Sequence, residues 1–324
     1  MQQRRSLFVL SAMCFGFAFL YVPILAMIVY SFNASRLVTV WDAQNSPTVK
    51  WYAELFQNDQ ILAAARLSLE IAAVNATGAV ILGTLAAFAL ARYGRFRGRT
   101  LFAGLATAPM VLPEVITGLS LLLLFVAMES AFGWPAGRGA LTITLAHITF
   151  SMAYVIVVVQ SRLETVDRSL EEAAMDLGAR PWKVFFLITL PIIAPAIASG
   201  WMLAFILSWD DVVITSFVSG PGSTTLPMLI FSKVRLGVSP DINALATILV
   251  LAVTVGVVVF GVYLNRRERQ RLRDQQAALA AGADAYVLKP FHPSELAAVV
   301  AEVAGPAPQA NGDHRAGSRS PPPG

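Results

Sequence analysis

Apolar and polar residues come in long blocks along this chain. Six apolar stretches stand out, at about Leu7–Phe32, Leu67–Ala91, Leu101–Met128, Leu141–Gln160, Ile188–Trp209 and Ala244–Leu264. Each reaches the roughly 20 residues that a helix needs to cross a bilayer core. Backbone inside lipid must satisfy its own hydrogen bonds, so such runs fold as helices. The pattern predicts an all-α polytopic membrane protein with six transmembrane helices over residues 1–275. The first run is far longer than a signal-peptide core and lacks a small-x-small cleavage site at its usual end, so it is expected to stay as a span. Beyond residue 275 the pattern changes. Residues 276–303 are Ala-rich, and residues 304–324 are rich in Pro, Gly and Ser and are expected to be disordered.

Composition agrees. The chain is 56% hydrophobic and 14% charged, with mean hydropathy +0.64, against about 25% charged in soluble domains. The placement of the charges adds an orientation. With the N-terminus inside, the inner segments hold Arg4, Arg5, Arg92, Arg95, Arg97, Arg99, Arg162, Arg168, Arg180, Lys183, Arg266, Arg267, Arg269, Arg271 and Arg273. The outer segments hold Arg36, Lys50, Arg66, Arg138, Lys233 and Arg235. Inner loops attract Lys and Arg, so both termini are expected in the cytoplasm, in a multi-pass protein embedded in membrane lipid. The net charge of +4 then belongs to membrane-flanking Arg, and no nucleic-acid partner is expected. The single cysteine, Cys14, lies within the first span and reads as a small apolar side chain.

The segment at about 165–188 carries the sharpest local signal. Glu171, Glu172, Ala173, Ala174, Met175 and Leu177 favour or tolerate helix, and Gly178 ends or bends it. Pro181 fits a first helical turn, where its missing N–H costs nothing, and Trp182–Phe186 restarts the helix. The paired Ala173 and Ala174 leave one face flat enough for close approach by another protein. The pattern Glu172-Ala173-Ala174, Gly178, then Ile188, Leu190 and Pro191 resembles the signature of permease subunits of ATP-binding-cassette importers. The resemblance implies a type I importer permease fold. It also implies that this loop docks into cytoplasmic ATPase subunits, with Glu172, Ala173, Ala174, Gly178, Ile188, Leu190 and Pro191 forming the coupling element.

Charges placed in or beside spans need a reason. Glu114, after Pro113, is expected near the middle of the third span, where a carboxylate costs about 2.5–3.5 kcal/mol on insertion scales and so faces water or a partner. Asp210 and Asp211 close the fifth span, either as a solvated helix end or as an acidic mouth for a cation. Glu70 reads as a solvated end near the start of the second span. His147, alone on an apolar run, reads as hydrogen-bonded structure. The chain has no metal-ligand spacing, no nucleophile constellation and no Gly-rich phosphate loop with a Lys. It is therefore not expected to be an enzyme or to bind a cofactor, and ATP is expected to be used by a separate subunit.

Longer phrases sharpen the resemblance. They include Tyr30-Ser31-Phe32-Asn33, Lys50-Trp51-Tyr52, Met110–Ser120, Asp210–Gly222, Thr225-Leu226-Pro227-Met228 and Asn243–Thr247. Together they resemble the polyamine importer permeases, especially the putrescine-type subunit, over residues 7 to about 275. Sulfate, iron and phosphonate permeases share much of this architecture. The resemblance implies alternating access within a complex that includes a second permease subunit, two ATPase subunits and a periplasmic polyamine-binding protein. A polyamine pairs ammonium groups with carboxylates and packs its methylenes on aromatic rings. Trp51, Tyr52, Glu114, Trp209, Asp210 and Asp211 are the residue types such a path needs.

Near the C-terminus, Gly282-Ala283-Asp284-Ala285-Tyr286 with Lys289-Pro290-Phe291 resembles the end of a response-regulator receiver domain. The upstream half of a receiver, with its phosphate-accepting Asp, is replaced by membrane spans, and about 25 residues cannot bury a core alone. A fragment without receiver activity is expected. A membrane-anchored signalling role is the rival reading, and it lacks that phosphate-accepting half.

Overall fold

A computed structural model describes residues 7–36, 40–94, 96–237 and 239–280. The chain falls into two units, Met1–Ile248 and Leu249–Gly324. The described residues are helical, with α1 at Leu7–Tyr30, α2 at Lys50–Phe56, α3 at Asp59–Arg92, α4 at Arg99–Val111, α5 at Glu114–Phe132 and α6 at Ala140–Thr165. Then come α7 at Ser169–Asp176, α8 at Pro181–Val184, a π-helical turn at Phe185–Thr189, α9 at Leu190–Trp209, α10 at Val213–Val218, α11 at Leu226–Leu236 and α12 at Pro240–Ala280. Among the described residues six helical stretches are long and apolar enough to cross a membrane: Phe8–Tyr30, Asp59–Arg92, Glu114–Phe132, Ala140–Thr165, Pro181–Trp209 and Pro240–Asp274. The receiver-like segment Gly282–Phe291 and the tail at 304–324 lie outside the described residues.

In the first unit α3, α6 and α9 form the centre. A stripe of small residues along α3, Ala72, Ala76, Ala79, Gly83 and Ala87, lets the neighbouring helices approach closely. Helices in lipid associate by such close van der Waals packing and by interhelical hydrogen bonds. Val155, Ile156, Val159 and Leu163 of α6 and Ile193 and Ala204 of α9 fill the other side. Asn75 adds a polar clasp. It is fully buried, and its Nδ2 donates to the Ala204 carbonyl at 2.8 Å and to Ser151 Oγ at 3.3 Å, joining all three helices.

The stretch expected as the third span, Leu101–Met128, differs from expectation. It is two helices, and Glu114 is the first residue of α5 rather than the middle of one helix. Pro113 is the reason. It lacks an N–H, and it holds Leu112 extended at ψ 139°, so α4 must stop there. Glu114 then sits at a helix start, where the peptide dipoles favour a carboxylate. The second span also starts earlier, at Asp59, with Asn58 Oδ1 accepting the Ile61 N–H at 3.1 Å. Glu70 is thus one turn beyond Arg66 on the body of α3, and the two pair at 2.7 Å on an exposed face.

Candidate functional site

The loop between α6 and α9 is built as its residues predict. α7 ends at Asp176, and Gly178 turns the chain at φ +86°, a left-handed conformation that glycine adopts without a Cβ penalty. The Ala179 N–H returns to the Ala174 carbonyl at 3.0 Å, and the Gly178 N–H to Met175 at 2.8 Å. Arg180 is extended and Pro181 opens α8. Glu172, Ala173 and Gly178 are exposed and Ala174 is half-buried. Leu177 is 90% exposed and Trp182 57%, so apolar surface stands open on this loop.

Ile188, Leu190 and Pro191 mark the join to α9. The Leu190 N–H bonds to Phe185 O, five residues back, which is a π-helical closure. Pro191 explains it: a proline cannot donate to the carbonyl four residues earlier and its ring crowds that carbonyl. Ile188 and Leu190 are half-buried and Pro191 is exposed.

The loop is tied to the helices by charge. Glu171 receives Arg92 Nε at 3.1 Å, and its Oε1 accepts the Thr189 hydroxyl at 2.8 Å. The Arg92 and Glu171 side chains are only 9% and 12% exposed. Arg168 Nη2 donates to the Ala91 carbonyl at 2.6 Å, one of the last-turn carbonyls of α3 that lack a helical partner. Phe88 of α3 meets Phe185 edge to face at 5.0 Å. The sequence marked Arg92 and Arg168 only as flanking charge, and the signature singled out Glu172, leaving the tie made by Glu171 unmarked.

The α9–α10 corner holds the second polar cluster. His147, on α6, is buried, with Nδ1 2.7 Å from Ser208 Oγ and Nε2 3.2 Å from Asp211 Oδ2. Asp211 also accepts the Thr215 N–H and hydroxyl, each at 2.7 Å, and the Ile214 N–H at 3.2 Å, so it caps α10. Burial pushes the Asp211 carboxyl up, but the His147 and Thr215 donors outweigh it and hold the group below the ordinary carboxylate value. Asp210 is exposed at the same corner, and partial desolvation together with the Asp211 charge raises its carboxyl. The two adjacent acids therefore differ. Asp211 is taken up by structure, and Asp210 is open.

Trp209 continues an aromatic column on α9, stacked on Phe205 at 6.0 Å, which stacks on Trp201 at 5.4 Å. The start of α5 lies against α10, because Gly118 leaves room there. A Cβ at Gly118 would meet Phe217 Cδ2 at 2.7 Å and Ile214 Cα at 3.3 Å. Glu114, one turn earlier, is exposed. Trp51 and Tyr52 belong elsewhere. Trp51 is 5% exposed and donates Nε1–H to the Asn33 carbonyl at 2.7 Å, and the Tyr52 hydroxyl is 2.6 Å from Ser31 Oγ. Among the described residues no group of His, Cys, Asp or Glu could hold a metal ion.

Residues 79–270 match the family described as the inner membrane component of binding-protein-dependent transport systems. The chain belongs to this family. It is an inner-membrane permease subunit with the type I importer fold, not an enzyme. The permease is 61% identical to the putrescine transport system permease protein PotI of Escherichia coli (strain K12), over 81% of this chain and 92% of that one. It is 44% identical to the spermidine/putrescine transport system permease protein PotC of the same strain, over 75% and 88%. Its fold is shared with a solved bacterial importer of the acidic polysaccharide alginate, at TM-score 0.62 and 17% identity, covering 82% of this chain and 98% of that one.

Proposed function

We propose that this permease moves putrescine or a related polyamine across the inner membrane by alternating access. The observation that carries the reading is the 61% identity to a putrescine permease over most of both chains. In this reading both termini are cytoplasmic and the α7–α8 loop faces the cytoplasm. A second permease subunit completes the path, a periplasmic polyamine-binding protein delivers the substrate, and two ATPase subunits close on ATP below. Glu172, Ala173, Ala174 and Gly178 form the docking turn. Ile188, Leu190 and Pro191 join that turn to α9 through the π-helical closure. The exposed Leu177 and Trp182 support a partner surface here, since open apolar side chains beside a polar rim mark protein contacts.

For the path, Glu114, Trp209 and Asp210 are the proposed polyamine contacts. The exposure of Glu114 and Asp210 beside the half-buried Trp209 supports this, as does the packing of the start of α5 on α10. Asp211 acts behind them, holding α10 to α6. The hydrogen bonds of Trp51 and Tyr52 support a role in bracing the segment that follows α1. The test is ATP-driven uptake of radiolabelled putrescine by membranes containing the whole complex, challenged with excess spermidine, sulfate or phosphonate. Competition by spermidine alone is expected. Competition by either anion would overturn the substrate class.

A further inference from the structure

We infer that Arg92, Glu171 and Thr189 form the joint through which movement of the α7–α8 loop reaches the spans, apart from the surface that meets the ATPase. The inference rests on the importer reading given above. α7 buries none of its own residues, so apolar packing does not lock it to the spans. Its firm link is Glu171, in its first turn, and that one carboxylate reaches two spans at once. Arg92 is the last residue of α3, which runs through the centre of the first unit, and Thr189 is the last residue of the π-helical turn that leads into α9.

A displacement of α7 therefore pulls on the end of α3 and the start of α9 together. Arg168 adds a second tie, from the loop to the Ala91 carbonyl. The pair is nearly out of water, so it is little screened by salt and is geometrically specific. The π-helical turn carries one hydrogen-bond register that a proline enforces, and such turns recur at moving, functional sites. Met175, Leu177 and Trp182 are open on the same loop and take no part in these ties. Docking and transmission thus use different residues and can be separated by mutation.

The test uses the full complex in proteoliposomes, with Arg92→Gln, Glu171→Gln, the milder Thr189→Val, and the reversal Arg92→Glu with Glu171→Arg. Two quantities are read: ATPase subunits retained on purification, and putrescine moved per ATP hydrolysed. Retention should match wild type in every variant. Putrescine per ATP should fall roughly two- to thirtyfold in the two Gln variants, the range seen when a coupling residue is altered. The fall should be smaller in Thr189→Val, and the reversal should recover part of it. Lower yield of inserted protein with an unchanged ratio would show a purely structural pair and overturn the joint. So would a loss of ATPase retention in the Gln variants, because docking and transmission would then not be separate. A wild-type chain that retains no ATPase at all would instead overturn the importer reading beneath it.

Discussion

Asp211→Asn and Asp210→Asn make the same exchange at neighbouring residues, one carboxylate oxygen for an NH₂, yet they should behave oppositely. The Asp211 carboxylate accepts four donors: the Ile214 N–H, the Thr215 N–H, the Thr215 hydroxyl and His147 Nε2. An asparagine keeps one acceptor oxygen. If that oxygen faces Thr215, the new NH₂ is left against the Ile214 N–H, donor to donor. The charge that held His147 is gone as well. One lost charge-assisted bond is worth about 1.5–3 kcal/mol and one stranded buried donor about 1–3 kcal/mol. A loss of about 3 kcal/mol is therefore expected. Asp210 makes no such set of bonds and is exposed, so Asp210→Asn should change stability by no more than about 0.5 kcal/mol. The assay is thermal melting of the purified complex in detergent, followed by tryptophan fluorescence, beside putrescine uptake kinetics. Asp211→Asn should melt several degrees lower, with an apparent KM near wild type in the molecules that remain folded. Asp210→Asn should melt like wild type and raise the KM. A double-mutant cycle with His147→Ala should be non-additive by more than about 0.5 kcal/mol. If Asp211→Asn melts like Asp210→Asn, the latch between α6 and α10 does not exist.

Other outcomes follow from the same geometry. Gly178→Val should cut ATPase retention and uptake together, because φ +86° strains a β-branched residue by about 1–3 kcal/mol; unchanged retention would refute the docking turn. Glu114→Gln should weaken polyamine handling by roughly ten- to a hundredfold, from loss of a charge-assisted contact worth about 1.5–3 kcal/mol, and wild-type uptake kinetics would show the carboxylate to be structural. The raised carboxyl of Asp210 is neutralised early as pH falls, so Asp210→Asn should flatten the acid limb of uptake; the stabilisation from Asp211, whose carboxyl is held low, is complete above the ordinary carboxylate value and is lost as pH falls from that value through the lowered one. Truncation after Arg273 should leave insertion and uptake intact, as a quantified uptake assay on the shortened chain would show.

How much of this was legible depended on the length scale of the signal. Six spans were legible because roughly 20 apolar residues in a row have one physical solution in lipid. The turn at Gly178 and the restart at Pro181 were legible because both residues have narrow backbone preferences, and the structure has φ +86° at the first and a helix start at the second. The break before Glu114 was half legible. Pro113 announced a disturbance, but a proline that loosens a helix and one that begins a new one look the same until Leu112 is seen extended. Neighbouring identical residues were legible only in part. Glu171 and Glu172 differ by the roughly 100° that each helix position turns, and the signature singled out only Glu172; Asp210 and Asp211 lie in the turn between α9 and α10, where tertiary contacts decide which one is taken up. Asn75 carried a weaker signal, a lone amide in an apolar run, which is costly enough to require a partner.

The most direct test of the account is complementation. The chain would be expressed in an Escherichia coli strain lacking PotI and its other putrescine uptake routes, and energy-dependent uptake of radiolabelled putrescine would be measured. Restored uptake is expected, abolished by Gly178→Val and weakened by Glu114→Gln. A chain that inserts in the membrane and retains the ATPase yet moves no putrescine would contradict the assignment of a polyamine path.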